Sequence, residues 1–515
     1  MSRSDTSFSK GPRVAFKTFG CRSNFSDTMD LVSLTREQGG NPVDFCLSEK
    51  SDVIVLNTCT VTDSADKEAF RLLEKIHLNH PSAKVIVTGC LAETSSDKLK
   101  DKFPDVLVIG PGQKKSVIEA IISDVQQEFQ NPKKADNDSN RTHLSRIRKP
   151  QHHSVSLHDT ISNTIVGPGQ YIGDIRVRSR YHLRVQEGCE NHCTFCIIPK
   201  TRGHLVSKED ALVLEDIKKL IFLGYKEIVL TGTHLGGYGE DSGSSLLELL
   251  KKIDACIQGL KNSSVLNPEF LMTRIRLSSL DPDDLSRELV DFIAKSHTFC
   301  PHLHICMQAF TDSVLKRMNR KYRINDAKEL LCYIKDVFPG CSIGSDIITG
   351  FPGESRVDFE KGIDEFNNLP ISYLHVFPYS ERTGTAATRL DGIIGIGERK
   401  RRAARWRSIA ERRQLEWMES LLGKTLDVVL EAGGESVGHY RGTSGEFADV
   451  GIVVQDLYSS DKKSDYLGLE NRERAVFRAG ELVRARAFFL DKKEGRLLCE
   501  LSDQEKLAQF QGHQE

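Results

Sequence analysis

Short apolar runs alternate with segments of helical periodicity twice along this chain, and this alternation restricts the fold more than any other property of the sequence. In the first series the apolar runs are RVAFKTFG, DVIVLNT, KVIVTG and VLVIG, between residues 13 and 125. Helical patterns near 24–37, 63–79 and 92–101 separate them. Parallel strands need such crossover helices. We therefore predict an α/β amino-terminal domain with a parallel, doubly wound sheet over residues 11–127.

The second series begins after a polar stretch at 128–178, which lacks periodicity and is predicted to be a linker. Six strand candidates follow, with helical patterns such as 208–223 and 325–337 beside them. The six candidates are YHLRVQE, EIVLTG, TRIRLSS, HLHICMQ, CSIGSDIITG and YLHVFPYS. Six parallel strands predict a central partial (β/α)6 barrel over residues 179–420.

The last part of the chain has a different pattern. After a basic helical stretch near 398–417, the strand-like segments KTLDVVLEA, ADVGIVVQ and LVRARAFFL are separated by turns that contain glycine. This pattern predicts a small antiparallel β-barrel over residues 421–502. Residues 503–515 are polar, and we expect a disordered tail there.

Composition excludes some classes of protein. No run of about 18 apolar residues is present, so an integral membrane protein is not expected. The start, MSRSDTSFSKGPR, does not resemble a secretory signal. Thirteen cysteines in such a chain favour a reducing compartment, the cytoplasm, where thiols bind metals or act in catalysis. The net charge of -1 means that nucleic-acid binding must depend on local patches.

The cysteine motif with the most specific spacing lies in VQEGCENHCTFCIIPKTRG, directly after the first barrel strand. Cys189, Cys193 and Cys196 have C-x3-C-x2-C spacing, which supplies three of the four thiolates that a four-iron cluster normally takes. One iron is then open to a cofactor or substrate. The alternative is a zinc site, which needs a fourth ligand such as His192 or His204.

Three other cysteines each follow a strand of the first domain. They are Cys21, Cys59 and Cys90. The carboxyl ends of parallel strands share one edge of the sheet, so these residues are expected to converge there. The alternative for each alone is a buried small hydrophobic residue. Cys46 has no such context and is not expected to be a ligand.

The sequence around both cysteine sets resembles one family. The segment from Tyr181 to Gly203 is similar to the signature of radical S-adenosylmethionine proteins, in the form typical of the methylthiotransferases. The segments GCRSN, NTCTVTDSAD and TGCLAE resemble the amino-terminal domain of the same family, and the resemblance covers about residues 13–502 outside the linker.

This resemblance implies two 4Fe-4S clusters and S-adenosylmethionine as cofactors. Cys189, Cys193 and Cys196 would hold the cluster that cleaves S-adenosylmethionine to a 5'-deoxyadenosyl radical. Cys21, Cys59 and Cys90 would hold an auxiliary cluster that handles sulfur. No further catalytic residue is assigned. The family matches at Asn24, Asn57 and Thr58 are expected mainly to form turns and hydrogen bonds, and Phe195 is expected near the cluster or to be an ordinary apolar residue.

The implied reaction is the transfer of a methylthio group to tRNA, with a reducing electron donor as a further partner, an unspecified sulfur source and no membrane. The TFGC opening, HVFPYS and KRMNRKY are most similar to enzymes that modify N6-threonylcarbamoyladenosine beside the anticodon. The alternatives are N6-isopentenyladenosine in tRNA, an aspartate of a ribosomal protein, or an iron-sulfur RNA-binding protein without catalysis.

Other barrel segments give weaker signals. The loop TGTHLGGYG at 231–239 is expected to approach the amino group of S-adenosylmethionine or to be a simple turn. Residues 306–311 depart from the family's PLQSGS, which leaves only Gln308 unchanged. Phe310 in place of glycine is expected to narrow the cofactor pocket or to redirect the loop, and Cys306 to fill apolar space. Satisfied, structural roles are expected for the barrel histidines, His234, His302, His304 and His375.

Three regions are candidates for tRNA binding. Residues 398–413 carry eight Lys or Arg and two Glu around Trp406, which predicts either a phosphate-binding helix or a solvated face. The segment RTHLSRIRK and the arginines Arg176, Arg178 and Arg180 add positive charge. The terminal barrel resembles an RNA-binding module of the TRAM type, although Gly423–Leu501 has 12 basic and 14 acidic residues.

Overall fold

The computed structural model describes residues 11–60, 62–130, 164–173, 175–262, 272–431, 439–453 and 477–502. Its amino-terminal domain has one five-stranded sheet, in which every pairing is parallel. The strands are β1 (Arg13–Thr18), β2 (Asn41–Asp44), β3 (Val53–Thr58), β4 (Lys84–Gly89) and β5 (Leu107–Val108), in the spatial order β2-β1-β3-β4-β5. The helices are α1 (Arg22–Glu37), α2 (Asp63–Asn79), α3 (Cys90–Thr94), α4 (Ser96–Lys102) and α5 (Lys114–Gln130). The predicted doubly wound sheet is confirmed.

Both faces of this sheet are covered. Ile54 and Leu56 pack with Leu73 and Ile76 of α2 in one apolar cluster. Alternate strand residues such as Val55 face the other way and belong to a cluster that continues into the next domain. Because side chains alternate along a strand, continuous apolar runs are required when both faces are buried.

A short hairpin, β6 (Tyr171–Ile172) and β7 (Ile175–Arg176), lies within the predicted linker 128–178. Ile172 and Ile175 are buried. Residues 131–163 of that linker lie outside the described residues, as does the predicted tail at 503–515.

The central domain contains parallel strands at all six predicted positions. They are β8 (Tyr181–Arg184), β11 (Glu227–Thr231), β12 (Arg274–Leu277) continued by β13 (Ser279–Leu280), β14 (His302–Ile305), β15 (Ser342–Thr349) and β16 (Tyr373–Pro378). They form two sheets, β12-β11-β8 and β13-β14-β15-β16, so β8 and β16 are the outer edges. The predicted barrel architecture is therefore confirmed, and its open side lies between these edges.

Helices and short strands fill the connections of this domain. They are β9 (Gln186–Glu187), α6 (Ile198–Arg202), β10 (Val206–Ser207), α7 (Asp210–Phe222), α8 (Leu246–Asn262), α9 (Arg287–Lys295), α10 (Asp312–Arg317), α11 (Ile324–Val337), α12 (Arg356–Asn367) and α13 (Ile396–Glu419). The helices cover the outside of the strands, and one apolar cluster joins both, with Ile228, Leu303 and Ile343 from the strands and Ile217 and Ile334 from the helices.

The carboxyl-terminal strands close a five-stranded barrel, as predicted. They are β17 (Thr425–Leu430), β18 (His439–Ser444), β19 (Asp449–Val453), β20 (Leu482–Asp491) and β21 (Arg496–Leu501), in the order β17-β18-β19-β21-β20. Four pairings are antiparallel and the β19–β21 pairing is parallel. Met418 at the end of α13 belongs to the core of this barrel.

The small barrel packs against the amino-terminal ends of the central strands. Arg276 donates to the carbonyl oxygens of Ser444 and Gly445 at 2.9 and 3.0 Å. The Phe447 ring stacks on His302, the first residue of β14, with 4.7 Å between centroids. Within the described residues, no helix has both the length and the apolar character needed to cross a bilayer.

Candidate active site

The amino-terminal domain covers the open side of the central barrel. Near β8, Asp27 of α1 forms ion pairs with Arg184 and, at 2.9 Å, with Arg202 of α6. Near β16, Arg382 binds Asp66 of α2 at 2.6 Å. The domain is thus attached at both edges of the barrel, and the strand ends that carry its cysteines face the cysteine loop of the barrel.

The barrel cysteines lie on the loop between β9 and α6. The sulfur of Cys189 accepts a hydrogen bond from the backbone N–H of Asn191 at 3.3 Å. The sulfur of Cys193 accepts one from Arg320 Nη1 at 3.2 Å. Burial raises the pKa of the Cys189 thiol to about 11 and that of Cys196 to about 12. Hydrogen-bond donors aimed at sulfur favour the thiolate form, the form that binds iron, so these residues fit a cluster.

The three cysteines of the amino-terminal domain lie at one edge of its sheet. Gly20 and Gly89, which precede Cys21 and Cys90, have φ angles of 94° and 88°. A Cβ at Gly20 would collide with the sulfur of Cys59, and a Cβ at Gly89 would collide with the carbonyl of Thr58. Glycine at both positions therefore allows the three cysteine-bearing turns to approach closely, as the sequence predicted.

Arg202 links the helix after the barrel cysteines to the amino-terminal cysteines. It is the last residue of α6, which begins two residues after Cys196. Burial raises the pKa of the Cys90 thiol, and the charge of Arg202 and a hydrogen bond from it oppose this rise. The charges of Cys90 and Cys21 in turn raise the pKa of Arg202. The helix that follows the barrel cysteines therefore carries a buried guanidinium group to the cysteines of the amino-terminal domain.

Polar residues next to the amino-terminal cysteines hold the loops in place. Asn24 donates to the carbonyl oxygens of Phe19 and Thr58 at 3.0 and 2.8 Å. Asn57 donates to the Asn24 carbonyl at 2.7 Å. The hydroxyl of Thr58 donates to the carbonyl of Thr88 at 2.6 Å. These hydrogen bonds agree with the expected structural role of all three matched residues.

The loop at 231–239 is attached to the barrel cysteine loop. Thr233 donates to the carbonyl of Gly188 at 2.7 Å. His234 forms a 3.0 Å contact with Asp284 and a 3.2 Å contact with Asn191. The loop is therefore in position to line a cofactor site beside Cys189.

For residues 306–311, one of the two alternatives expected for Phe310 is wrong, and so is the expectation for Cys306. Phe310 does not narrow the cofactor pocket, because its ring is buried between Phe366 and Trp406, at centroid distances of 5.4 and 5.6 Å. Cys306 does not fill apolar space. Its sulfur lies 3.5 Å from Asp346 Oδ2, on the side of the strand that also carries His304.

The histidines of β14 and β16 have polar partners, as expected. His302 and His304 contact the hydroxyl of Tyr373 at 2.7 and 3.2 Å. His304 and the half-exposed His375 both contact Asp346 Oδ1, at 3.0 and 3.1 Å. Although burial acts to raise it, these two contacts hold the pKa of Asp346 below its ordinary value.

The other residues considered as possible parts of the cysteine sites make contacts of their own. His204 is exposed and contacts Glu190 at 2.8 Å, and His192 is also exposed. These positions do not support either histidine as a fourth ligand of a zinc site. Cys46 is exposed, with Ser48 at 3.1 Å. Phe195 packs edge-to-face on Phe351, at 6.3 Å between centroids, beside the cysteine loop.

The basic helix is less available to RNA than its sequence suggested. Trp406 is 1% exposed and cannot stack on a base. Arg402 is buried and binds Glu354 at 2.7 Å. Arg405 forms two hydrogen bonds with Glu360, at 2.6 and 2.7 Å. Lys400 and Arg407 are exposed and have no ion pair within the part of the chain that the structure describes.

Several charged residues of the site were not identified from sequence. Arg184, Arg202 and Arg320 are buried and each binds carboxylates. Arg320 joins Asp281, at 2.5 Å, to Cys193. For Arg184, an arginine within the strand YHLRVQE was an available signal, since a charge on a buried strand needs a partner.

Comparisons with known proteins agree with this arrangement. The profile of an uncharacterized protein family, UPF0004, matches residues 13–110, and that of the radical SAM superfamily matches residues 183–366. The threonylcarbamoyladenosine tRNA methylthiotransferase of Bacillus subtilis (strain 168) is 33% identical over 420 residues, which cover 81% of this chain and 84% of that protein.

Two further comparisons extend these matches. The tRNA-2-methylthio-N(6)-dimethylallyladenosine synthase of Thermodesulfovibrio yellowstonii is 33% identical over 75% of this chain and 80% of its own length. The solved structure of TsrM, a radical S-adenosylmethionine methyltransferase from Kitasatospora setae, shares the fold with a TM-score of 0.52 and 16% identity, covering 71% of this chain and 73% of that chain. On the strength of the extended matches to the first two proteins, this chain belongs to the methylthiotransferase family of radical S-adenosylmethionine enzymes.

Proposed function

We propose that this enzyme adds a methylthio group to C2 of N6-threonylcarbamoyladenosine in tRNA. The similar protein of Bacillus subtilis carries that substrate in its name, and its match covers 81% of this chain. The family implies a 4Fe-4S cluster and S-adenosylmethionine. The proposal adds a second 4Fe-4S cluster, on Cys21, Cys59 and Cys90, to the cluster on the three barrel cysteines.

The observation that carries this proposal is that Arg202, on the helix after the barrel cysteines, lies beside the cysteines of the amino-terminal domain. It contacts Glu187 and Asp27 at 2.8 and 2.9 Å, one from each domain, and its charge acts on Cys90. A methylthio group must be assembled from sulfur and a methyl group before it is inserted, so two reactive centres have to share one substrate cleft. The attachment of the amino-terminal domain across the open barrel supplies such a cleft.

The bound cofactors would supply reductive cleavage of S-adenosylmethionine and the transferred sulfur. The protein would position them. Cys189, Cys193 and Cys196 would hold the cluster, and the loop at 231–239 lies beside them, where it would line the site of S-adenosylmethionine. Arg320 donates a hydrogen bond that orients Cys193. Asp281 lies 2.5 Å from Arg320 and neutralises the charge of this arginine. The covering domain would limit the access of water to the cleft, which suits radical chemistry.

We further propose that the protein acts in the cytoplasm, with tRNA and a reducing electron donor as partners. The exposed cations of α13 and the terminal barrel are candidate contacts for the body of the tRNA. The barrel lies against the amino-terminal ends of the central strands, so it is suited to hold RNA outside the cleft.

A second candidate substrate is N6-isopentenyladenosine in tRNA. The Thermodesulfovibrio yellowstonii relative, whose name specifies a dimethylallyladenosine product, has the same 33% identity over a slightly shorter part of this chain. The two nucleosides differ in charge, because only the threonylcarbamoyl group has a carboxylate. The cleft residues must therefore differ between enzymes that accept one or the other.

A reconstituted assay tests the proposal. The anaerobically reconstituted enzyme is incubated with dithionite, S-adenosylmethionine and anticodon stem-loops that carry threonylcarbamoyladenosine or isopentenyladenosine. Nucleosides are then quantified by mass spectrometry. We expect a methylthio product from the first stem-loop and little from the second. Methylthiolation of the isopentenyl stem-loop alone would replace the proposed substrate, and 5'-deoxyadenosine without product from either would reject both.

A further inference from the structure

Arg22 is the first residue of α1 and directly follows Cys21. Its guanidinium carbon lies 5.9 Å from the centre of the Phe447 ring. Its charge interacts with Tyr373 of β16 and Asp346 of β15. The side chain therefore extends from the amino-terminal domain into the interior of the barrel, next to one of the three cysteines proposed to hold the auxiliary cluster.

Other arginines of this interior have carboxylate partners. Arg180 binds Glu431 at 2.6 Å, and Arg276 binds Glu227 at 2.6 Å. Within the described residues, Arg22 forms no ion pair, and its Nη1 atom is buried without a hydrogen-bond partner. A buried guanidinium nitrogen without an acceptor is unfavourable, so this geometry is expected to be completed by an anionic ligand.

Asp346 does not supply the missing partner. Its Oδ1 atom is already in contact with His304 and His375, at 3.0 and 3.1 Å. Its Oδ2 atom lies 3.5 Å from the sulfur of Cys306. The two neighbouring arginines repel Arg22 rather than neutralise it. The interior beside Arg22 is therefore suited to an anion that enters from outside.

We propose that Arg22 binds the carboxylate of the threonylcarbamoyl group and so selects the charged nucleoside over its neutral counterparts. This inference rests on the proposed function. A planar guanidinium whose Nη1 atom lacks a partner can donate to a carboxylate, whereas a dimethylallyl group has no atom to accept its hydrogen bond. Because Arg22 adjoins Cys21, a nucleoside bound through this group would lie beside the proposed sulfur-handling centre.

The first test leaves the protein unchanged and alters the substrate. Wild-type holoenzyme is given stem-loops with threonylcarbamoyladenosine or with its carboxamide analogue, which has the same shape without the charge. We expect kcat/KM to be about 10- to 100-fold lower for the carboxamide, the range for losing a hydrogen bond to a charged group. Equal values for the two stem-loops would overturn the proposal.

The second test uses Arg22→Met and Arg22→Lys, with Arg36→Met, at the other end of α1, as the matched control. Binding of both stem-loops to each holoenzyme is measured without reductant, and iron content is recorded. We expect the preference for the carboxylate to disappear in Arg22→Met, to survive in part in Arg22→Lys and to be unchanged in the control. Equal loss of affinity for both stem-loops in Arg22→Met would assign Arg22 to general RNA contact and overturn the proposal.

The two tests separate this proposal from the proposed function. If the wild-type enzyme makes no methylthio product from the threonylcarbamoyl stem-loop, the proposed substrate is wrong. If it makes that product, but Arg22→Met still prefers the carboxylate as strongly as the wild type does, the substrate stands and only the role of Arg22 fails.

Discussion

Arg202 Nη2 donates a 2.5 Å hydrogen bond to Oδ1 of Asn24, and this contact joins the helix after the barrel cysteines to the turn that carries Cys21. Both residues are buried. The same guanidinium binds Asp27 and Glu187. The attachment of the amino-terminal domain to the barrel therefore depends on a buried charge network, in which loss of a single partner leaves charges unpaired.

Replacement of Arg202 by methionine is expected to destabilise the protein strongly. Removing one member of a buried ion pair costs about 3–5 kcal/mol, because the remaining carboxylates stay desolvated. The measurement is the shift in thermal unfolding temperature. Arg405→Met is the control, since the Arg405–Glu360 pair is exposed and screened by solvent, so its loss should change stability little. Similar shifts for both variants would contradict a structural role for the buried network.

Reconstituted protein is expected to bind about eight irons per chain, four for each proposed cluster. Iron and sulfide analysis after anaerobic reconstitution measures this number. Cys46→Ala should leave the iron content unchanged, because Cys46 is exposed and contacts Ser48 rather than the other cysteines. A content of only four irons in well-folded protein would reject the second cluster.

The two cysteine sets are expected to differ in function. Cys193→Ala should abolish both 5'-deoxyadenosine formation and the methylthio product, because only the barrel cluster would cleave S-adenosylmethionine. Cys59→Ala should allow cleavage to continue without product, since the barrel ligands remain intact. Both compounds are quantified for each folded variant with dithionite, S-adenosylmethionine and tRNA. Product at the wild-type rate from Cys59→Ala would refute sulfur handling by Cys21, Cys59 and Cys90.

The contribution of α13 to tRNA binding is expected to come from its unpaired exposed cations. Lys400→Gln with Arg407→Gln should weaken binding and reduce the slope of log affinity against log salt by about 1–2, because each phosphate contact releases counterions. Arg405→Gln is the control, since Arg405 is engaged by Glu360. An unchanged salt slope in the double variant would make this helix a solvated surface.

Acid is expected to destabilise the fold through His182 of β8. Burial, with the neighbouring arginines, lowers the pKa of His182 to about 3. The unfolded chain, with a histidine pKa of about 6.5, then binds more protons than the folded protein, so stability falls as pH decreases from about 6.5 towards 3. His182 changes the free energy of unfolding by at most about 1.4 kcal/mol per pH unit.

His182→Gln and His182→Asn should therefore both show a flatter dependence of unfolding temperature on pH between 7 and 5. Circular dichroism melts at fixed ionic strength measure it. Because His182 packs edge-to-face on Phe25, at 5.9 Å, both variants are expected to be less stable at pH 7. Identical slopes in wild type and both variants would show that His182 is protonated without cost.

Local sequence patterns were sufficient for most of the longer elements of this fold. All six central strands and the parallel amino-terminal sheet were predicted from apolar runs and their helical spacers. A strand that is buried on both faces is apolar at successive positions, and this pattern is visible in the sequence. The strands Asn41–Asp44, His439–Ser444 and Arg496–Leu501 were not predicted; the first two, NPVD and HYRGTS, contain too few apolar residues to stand out as strands. The direction of the Phe310 ring was not predicted, because a residue type in the sequence does not show which way its side chain points. The ring packs on Trp406.

The sequence by itself determined the order of domains, the strand ends where cysteines gather and the family, because spacing, periodicity and motifs are local properties. Only the tertiary structure decided how the first domain covers the barrel. Asp27 and Arg184 are 157 positions apart, and Asp66 and Arg382 are 316 apart. Such ion pairs have no local pattern, since each partner alone has the sequence of an ordinary surface charge. Burial of both partners at the interface is what gives them a role.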